Sequence, residues 1–200
     1  FRRVLFRSVR WYLIKDITLG NDGDFQDRRF VDIINNDLAN TIGNLLNRTT
    51  SMSRKWFDNK VPINNEITSE SKLECLAKTS VENYINKFNT YKLDQAANEV
   101  LNLAINTNLY LNENQPWSLI KENDKLPVVK EIIYNVLEST RIIGLLLLPL
   151  LPELSSKINL QLGSIYQKDF SWEQQLKWGL LISNTNLPKP SPIINKLEYE

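Results

Sequence analysis

Apolar positions recur along this chain at helical intervals, and the strict alternation that marks a half-buried strand is missing. Phe30, Ile34, Leu38, Ile42, Leu45 and Thr49 make one stripe, and Asn36, Asn40, Asn44 and Arg48 form a slowly drifting row on the other side. This spacing predicts a long amphipathic helix from Phe25 toward Arg48, continuing to Trp56. Asp24 is its expected N-cap, after the turn-like Gly20-Asn21-Asp22-Gly23. A loop over 59–65, around Pro62, separates it from a second helix over about 72–87, with Leu73, Leu76, Val81, Tyr84, Ile85 and Phe88 inward. Thr90 is expected to cap a third helix over about 92–111, built on Leu93, Ala97, Val100, Leu101, Ala104 and Tyr110.

Pro116 suits the first turn of a short segment. A fourth long helix is expected over about 126–148, bent at Pro149, and a short one over about 154–162, ended by Gly163. The fold class that follows is all-α, an antiparallel helical bundle. The tail differs: Asn186-Leu187-Pro188-Lys189-Pro190-Ser191-Pro192 favours extended backbone. Leu180, Leu181, Ile193, Ile194 and Leu197 favour packing of this C-terminal strap. The organisation read from these signals is a connector over 1–24, a helical domain over 25–171 and the strap over 172–200.

Composition then narrows the chemistry. With 200 residues, 42% hydrophobic and 24% charged, the chain can bury a real core. A formal charge of +1 argues against binding polyanions through a basic coat, so any nucleic-acid contact must be local and shape-specific. The sequence has no histidine and a single cysteine, which removes His-based metal sites, Ser-His or Cys-His nucleophiles and internal disulfides. Cys75 reads as a small buried hydrophobe, and a reducing, cytoplasmic setting fits. The apolar run from Ile142 to Leu151, bounded by Arg141 and Glu153, is too short to span a membrane and reads as core. Phe1 to Ile14 mixes four arginines with apolar residues and lacks a signal-peptide pattern, so it reads as an internal end.

The amide and guanidinium row is the candidate recognition surface, because these groups read base edges. Asparagine supplies about one residue in eight, so a merely solvated face is the competing explanation. Asn44 can equally satisfy a helix crossing, and Arg48 can pair with an acid. Trp11, Trp56, Trp172 and Trp178 read as packing residues. Arg54, Lys55 and Lys121 read as ordinary surface cations.

Several pieces carry a family resemblance. Trp11-Tyr12-Leu13-Ile14, Gly20-Asn21-Asp22-Gly23-Asp24-Phe25, Asn36-Asp37-Leu38-Ala39-Asn40, Gly43-Asn44-Leu45-Leu46-Asn47-Arg48, Asn114-Gln115-Pro116-Trp117 and Leu150-Leu151-Pro152 follow one another in the order found in the C-terminal part of methionyl-tRNA synthetase. From about Val9 onward the chain resembles the helical anticodon-binding domain of that class I family, preceded by the end of its stem-contact region. The resemblance implies that Asn44 and Arg48 contact the first anticodon base, a cytosine, that Asn40 belongs to the same surface, and that Trp117 stacks on that base with Pro116 setting its exposure. It implies methionine tRNA, with its CAU anticodon, as partner, together with the catalytic domain of the same enzyme; neither membrane nor DNA is expected.

The family's catalytic His-Ile-Gly-His and Lys-Met-Ser-Lys-Ser motifs do not occur here. No catalytic residue, metal or cofactor is therefore expected in this chain, ATP belonging to the family's catalytic domain, and the chain alone should be inactive in charging tRNA. Phe1 to Ser8 departs from the family's sequence and reads as foreign to it. Two other readings stay open at this point: a helical interaction or scaffold module without RNA, and the anticodon-binding domain of a related class I synthetase.

Overall fold

The computed structural model describes residues 2–62, 71–163, 166 and 169–198. The first helix, α1, spans Arg2–Asp16 without a break. It is followed by an irregular connector and then by a continuous helical rod. The rod comprises α2 (Asp27–Ile33), a π-helical segment π1 (Ile34–Gly43) and α3 (Asn44–Trp56). Then come α4 (Lys72–Asn89), α5 (Leu93–Asn114), the single turn α6 (Pro116–Leu119), a 3₁₀ turn at Asn123–Lys125, α7 (Leu126–Leu147), α8 (Pro152–Gln161) and the short α9 (Trp172–Gln175). Among the described residues the one strand-like pairing is an isolated antiparallel bridge between Lys60 and Asn186.

Helix α7 is the axis of the bundle. Every residue from Ile132 to Leu147 is buried, as expected of a helix that is apolar on nearly all sides. Helices α3, α4, α5 and α8 pack around it, α4 lies along α5, and α1 packs on α5. The α8 crossing is close: a Cβ built on Gly144 would meet Ile158 Cγ2 at 2.9 Å, so only glycine lets the two backbones approach this far. The helical, bundle-like class expected from the sequence is what the chain adopts.

The rod departs from the expected single α-helix. Phe30, Ile34, Leu38, Ile42, Leu46 and Thr50 are all buried at intervals of four. Four residues overrun an α turn of about 3.6, so the row would drift about 40° per step and about 200° by Thr50, out of the core. In a π turn, with its i→i+5 bonds, four residues fall short of a full turn and the drift reverses. Splicing π1 between two α segments therefore keeps the whole row facing inward. The wide turn is visible in Asn44, whose amide donates to Ala39 O, and in Thr41, whose hydroxyl donates to Asn36 O at 2.7 Å.

Other local expectations are corrected. Asp24 caps nothing: its carbonyl accepts the Tyr12 hydroxyl at 3.2 Å, and the rod starts later, with Gln26 at the N-cap position. Thr90 closes α4 instead of opening α5, because its hydroxyl donates back to Asn86 O at 2.9 Å. Pro149 does not bend α7 but stands in the turn beyond it, where Leu151 N donates to Leu147 O at 2.6 Å. Cys75 is exposed, since it sits two positions past buried Leu73 and so on the outer face of α4. The loop expected over 59–65 lies within the described residues only as far as Pro62.

The tail is not extended from Trp172. Ser171 and Gln174 form a reciprocal capping box that starts α9, and the strap proper follows. The strap is packed, as its apolar residues require: Leu181, Leu187 and Ile193 are buried. The fully buried pair Glu138 and Arg141 fastens its beginning. Glu138 accepts the backbone amides of Gly179 (2.6 Å), Leu180 (3.1 Å) and Leu181 (3.0 Å). Arg141 donates to Gln175 O and Lys177 O at 2.6 Å each and to both oxygens of Glu138. Farther on, Val61 N donates to Thr185 O, Lys157 Nζ to Ile193 O and Gln161 Nε2 to Ser191 O.

None of the described helices is long and apolar enough to cross a membrane. Among the described residues no group of three or more metal-ligating side chains comes together.

Candidate nucleic-acid interface

Arg48 projects from the second turn of α3 and Trp117 from α6, and the fold brings the two together. The guanidinium carbon lies 5.8 Å from the centre of the indole ring, within cation–π reach. Trp117 is 38% exposed, whereas Trp11 is fully buried with its Nε1 donating to Asp37 Oδ2 at 3.0 Å. Trp172 is half-buried and donates Nε1 to Leu145 O at 2.9 Å. Of these three indoles, Trp117 alone offers a plate to water beside a fixed cation.

The local sequence explains that exposure. Helix α5 ends at Asn114, and Gln115 takes a left-handed backbone with φ 42° and ψ 56°, turning the chain sharply. Pro116 then occupies the first position of α6, where a missing N–H costs nothing, and is itself buried. The turn is closed by Ser118 N and Leu119 N, both donating to Gln115 O. Pro116 thus anchors the base of the turn, and Trp117 stands on its outer side.

Asn112 completes the pair. Its Oδ1 accepts Arg48 Nη2 at 3.1 Å, so a neutral amide holds the guanidinium where an acid was the alternative. The sequence reading did not single this residue out, because it ended the third helix at Leu111. Extending that helix by one turn would have put Asn112 beside the Gln-Pro-Trp turn. Asn44, the first residue of α3, is exposed one turn before Arg48. Asn40 is exposed on π1, with its Nδ2 at 3.5 Å from Asn36 Oδ1. Asn36, Asn40 and Asn44 therefore share the outer side of the rod, and Arg48, Asn112 and Trp117 cluster one turn beyond them.

Three neighbours fix π1. Trp11 binds Asp37 from α1, and Asn108 of α5 donates Nδ2 to Thr41 O at 3.2 Å. The strap supplies the third: Asn35 Oδ1 accepts Leu197 N at 2.8 Å, and Asn35 Nδ2 donates to Leu197 O at 2.9 Å. Burial holds the Asp37 carboxyl above its ordinary range, partly offset by the Trp11 hydrogen bond and the Lys15 charge.

A notch with one exposed indole face, a guanidinium held over it and a run of exposed amides has the parts for stacking an unpaired base and reading its edge.

Residues 61–199 match the model of the anticodon binding domain of methionyl tRNA ligase, and residues 3–50 match that of class I tRNA synthetases for methionine. The second match reaches upstream of Val9 and includes residues 3–8, so this segment is not foreign to the family. Methionine–tRNA ligase of a Synechocystis species is 35% identical over 203 residues, covering 96% of this chain and 38% of that protein. The ligase of Thermosynechococcus vestitus is 37% identical over 198 residues, covering 95% of this chain and 37% of that protein. Among solved structures, free methionyl-tRNA synthetase of Mycobacterium tuberculosis superposes with a TM-score of 0.88 at 28% identity, over 97% of this chain and 39% of that one. The chain thus spans less than two fifths of the length of each of these proteins.

Proposed function

The chain belongs to the methionyl-tRNA synthetase family as its anticodon-binding domain, and from that premise we propose that the notch at Arg48 and Trp117 receives the first anticodon base of methionine tRNA. The CAU loop is the partner. Trp117 stacks on the cytosine, Arg48 and Asn44 read its edge, and Asn40 extends the same surface along the rod. Pro116 and Asn112 act indirectly, the first by planting the turn that exposes the indole and the second by aiming the guanidinium.

One observation carries this reading: an exposed indole and a guanidinium from distant parts of the chain are held 5.8 Å apart on the surface. A packing role for Trp117 would have buried it, as it buries Trp11. The work of the chain is recognition. Attachment of methionine, with its ATP, is assigned to the catalytic part of the relatives, whose motifs this sequence lacks, and no cofactor is assigned to the chain. The partners are tRNA and that catalytic part, in a cytoplasmic setting.

The test is a titration of the chain with an RNA stem-loop carrying CAU and with one whose loop is scrambled. Tighter binding of CAU is expected. Equal binding of the two loops would overturn the proposal and favour a scaffold role.

A further inference from the structure

The strap and the reading face meet across the π-helical segment. Asn35 on π1 grips the Leu197 backbone through both ends of its carboxamide. Ile193 of the strap lies against Gly43, where a built Cβ would stand 3.6 Å from Ile193 Cγ1. The same Cβ would stand 3.0 Å from Leu38 O, the carbonyl five residues back, so position 43 tolerates the wide turn best without a side chain.

We propose that the C-terminal strap, through Asn35, is a positioning element for base recognition: it holds Ile34–Gly43 in the π winding that keeps Asn36 and Asn40 on the same face as Asn44 and Arg48. The physical reason is angular. An α turn holds fewer residues than a π turn, so rewinding π1 as α-helix would rotate Asn36 away from Arg48 by roughly a third of a turn. A ladder of i→i+5 bonds is rare and needs outside support, which Leu197, Ile193, Trp11 and Asn108 provide from three sides. Of these, the Asn35 pair can be removed without touching the core or the notch. The inference rests on the reading of this face as the anticodon-binding surface.

The experiment is a double-mutant cycle on the full chain, read as affinity for the CAU stem-loop, with circular dichroism to show that each variant is folded. Asn35→Ala is expected to weaken binding by about three- to tenfold, the worth of one edge hydrogen bond. In that background Asn40→Ala is expected to cost nothing more, while Trp117→Ala keeps its full effect. Gly43→Ala, which opposes the π turn directly, should mimic Asn35→Ala and serves if Asn35→Ala fails to fold. Additive losses for Asn35→Ala and Asn40→Ala, or an Asn40→Ala chain that binds as the unaltered one does, would overturn the inference. Loss of the Trp117→Ala effect in the unaltered chain would instead strike the anticodon reading itself.

Discussion

Arg48 donates to Asn112 at 3.1 Å while its guanidinium carbon stands 5.8 Å from the ring centre of Trp117, so one cation is held by an amide and an indole at once. The contact is worth roughly 0.5–1 kcal/mol where exposed, enough to preset the side chain before RNA arrives. Preset groups lose less entropy on binding.

Replacing Trp117 with alanine should therefore weaken the CAU stem-loop by about 1–3 kcal/mol, or roughly five- to 150-fold, with little change in melting temperature. Trp172→Ala should do the reverse, lowering the melting temperature and leaving affinity nearly unchanged, because its indole is tied to Leu145 O. Fluorescence or filter-binding titrations of the two variants decide it. Equal affinity losses would make Trp117 a structural residue.

Asp37 gives a pH test. Its carboxyl is held above the ordinary range by burial, so folding favours the protonated form. The stability linked to that shift is present below the ordinary carboxyl pKa and is lost as pH rises through the higher native value. Asp37→Asn keeps an acceptor for Trp11 Nε1 and abolishes the ionisation. Thermal melts should place this variant at or above the unaltered chain near pH 7, with the advantage vanishing below about pH 4. A variant that is less stable at pH 7, increasingly so at higher pH, would contradict this sign.

Glu138 and Arg141 should behave as a unit. Glu138→Ala leaves a fully buried guanidinium without its counter-ion and three amides of the strap without an acceptor. Loss of one partner of such a pair costs about 3–5 kcal/mol. Replacing both residues at once, Glu138→Leu with Arg141→Met, should cost less than those two substitutions made singly and added together. Urea denaturation of the three variants measures the difference, and simple additivity would refute the coupling.

Tyr84 offers a stabilising change. Its ring stacks on Phe88 with centroids 5.6 Å apart, while its hydroxyl is buried with no partner among the described residues. Burial pushes the phenol far above its ordinary pKa. Tyr84→Phe keeps the ring and removes the unsatisfied group, so it should raise stability by about 1 kcal/mol and the melting temperature by about 2–4 °C. A lower melting temperature would mean that the hydroxyl has a partner in solution.

The sequence was most informative where one period governs the chain. The α7 segment is apolar on almost all sides and could only be a central helix, and the Gln-Pro-Trp turn announced itself through proline at a helix start. The π segment was illegible for a definite reason: a four-residue repeat looks like α periodicity over two turns and fails only over five, when the accumulated drift becomes large. Asn112 was missed because helix ends are set by caps, and the left-handed Gln115 that ends α5 has no glycine to advertise it. The strap's anchors were invisible because Glu138 and Arg141 bind main-chain atoms, which leave no trace in the side-chain pattern they hold.

A carboxylate that addresses amides, and a guanidinium that addresses carbonyls, are blind to the side chains of the segment they grip. With Cys75 first replaced by serine, the exposed Lys177 can be exchanged for a fluorophore-bearing cysteine without loosening the grip, since Arg141 takes only its carbonyl. The segment is thus a ready handle for watching the tail while RNA binds elsewhere.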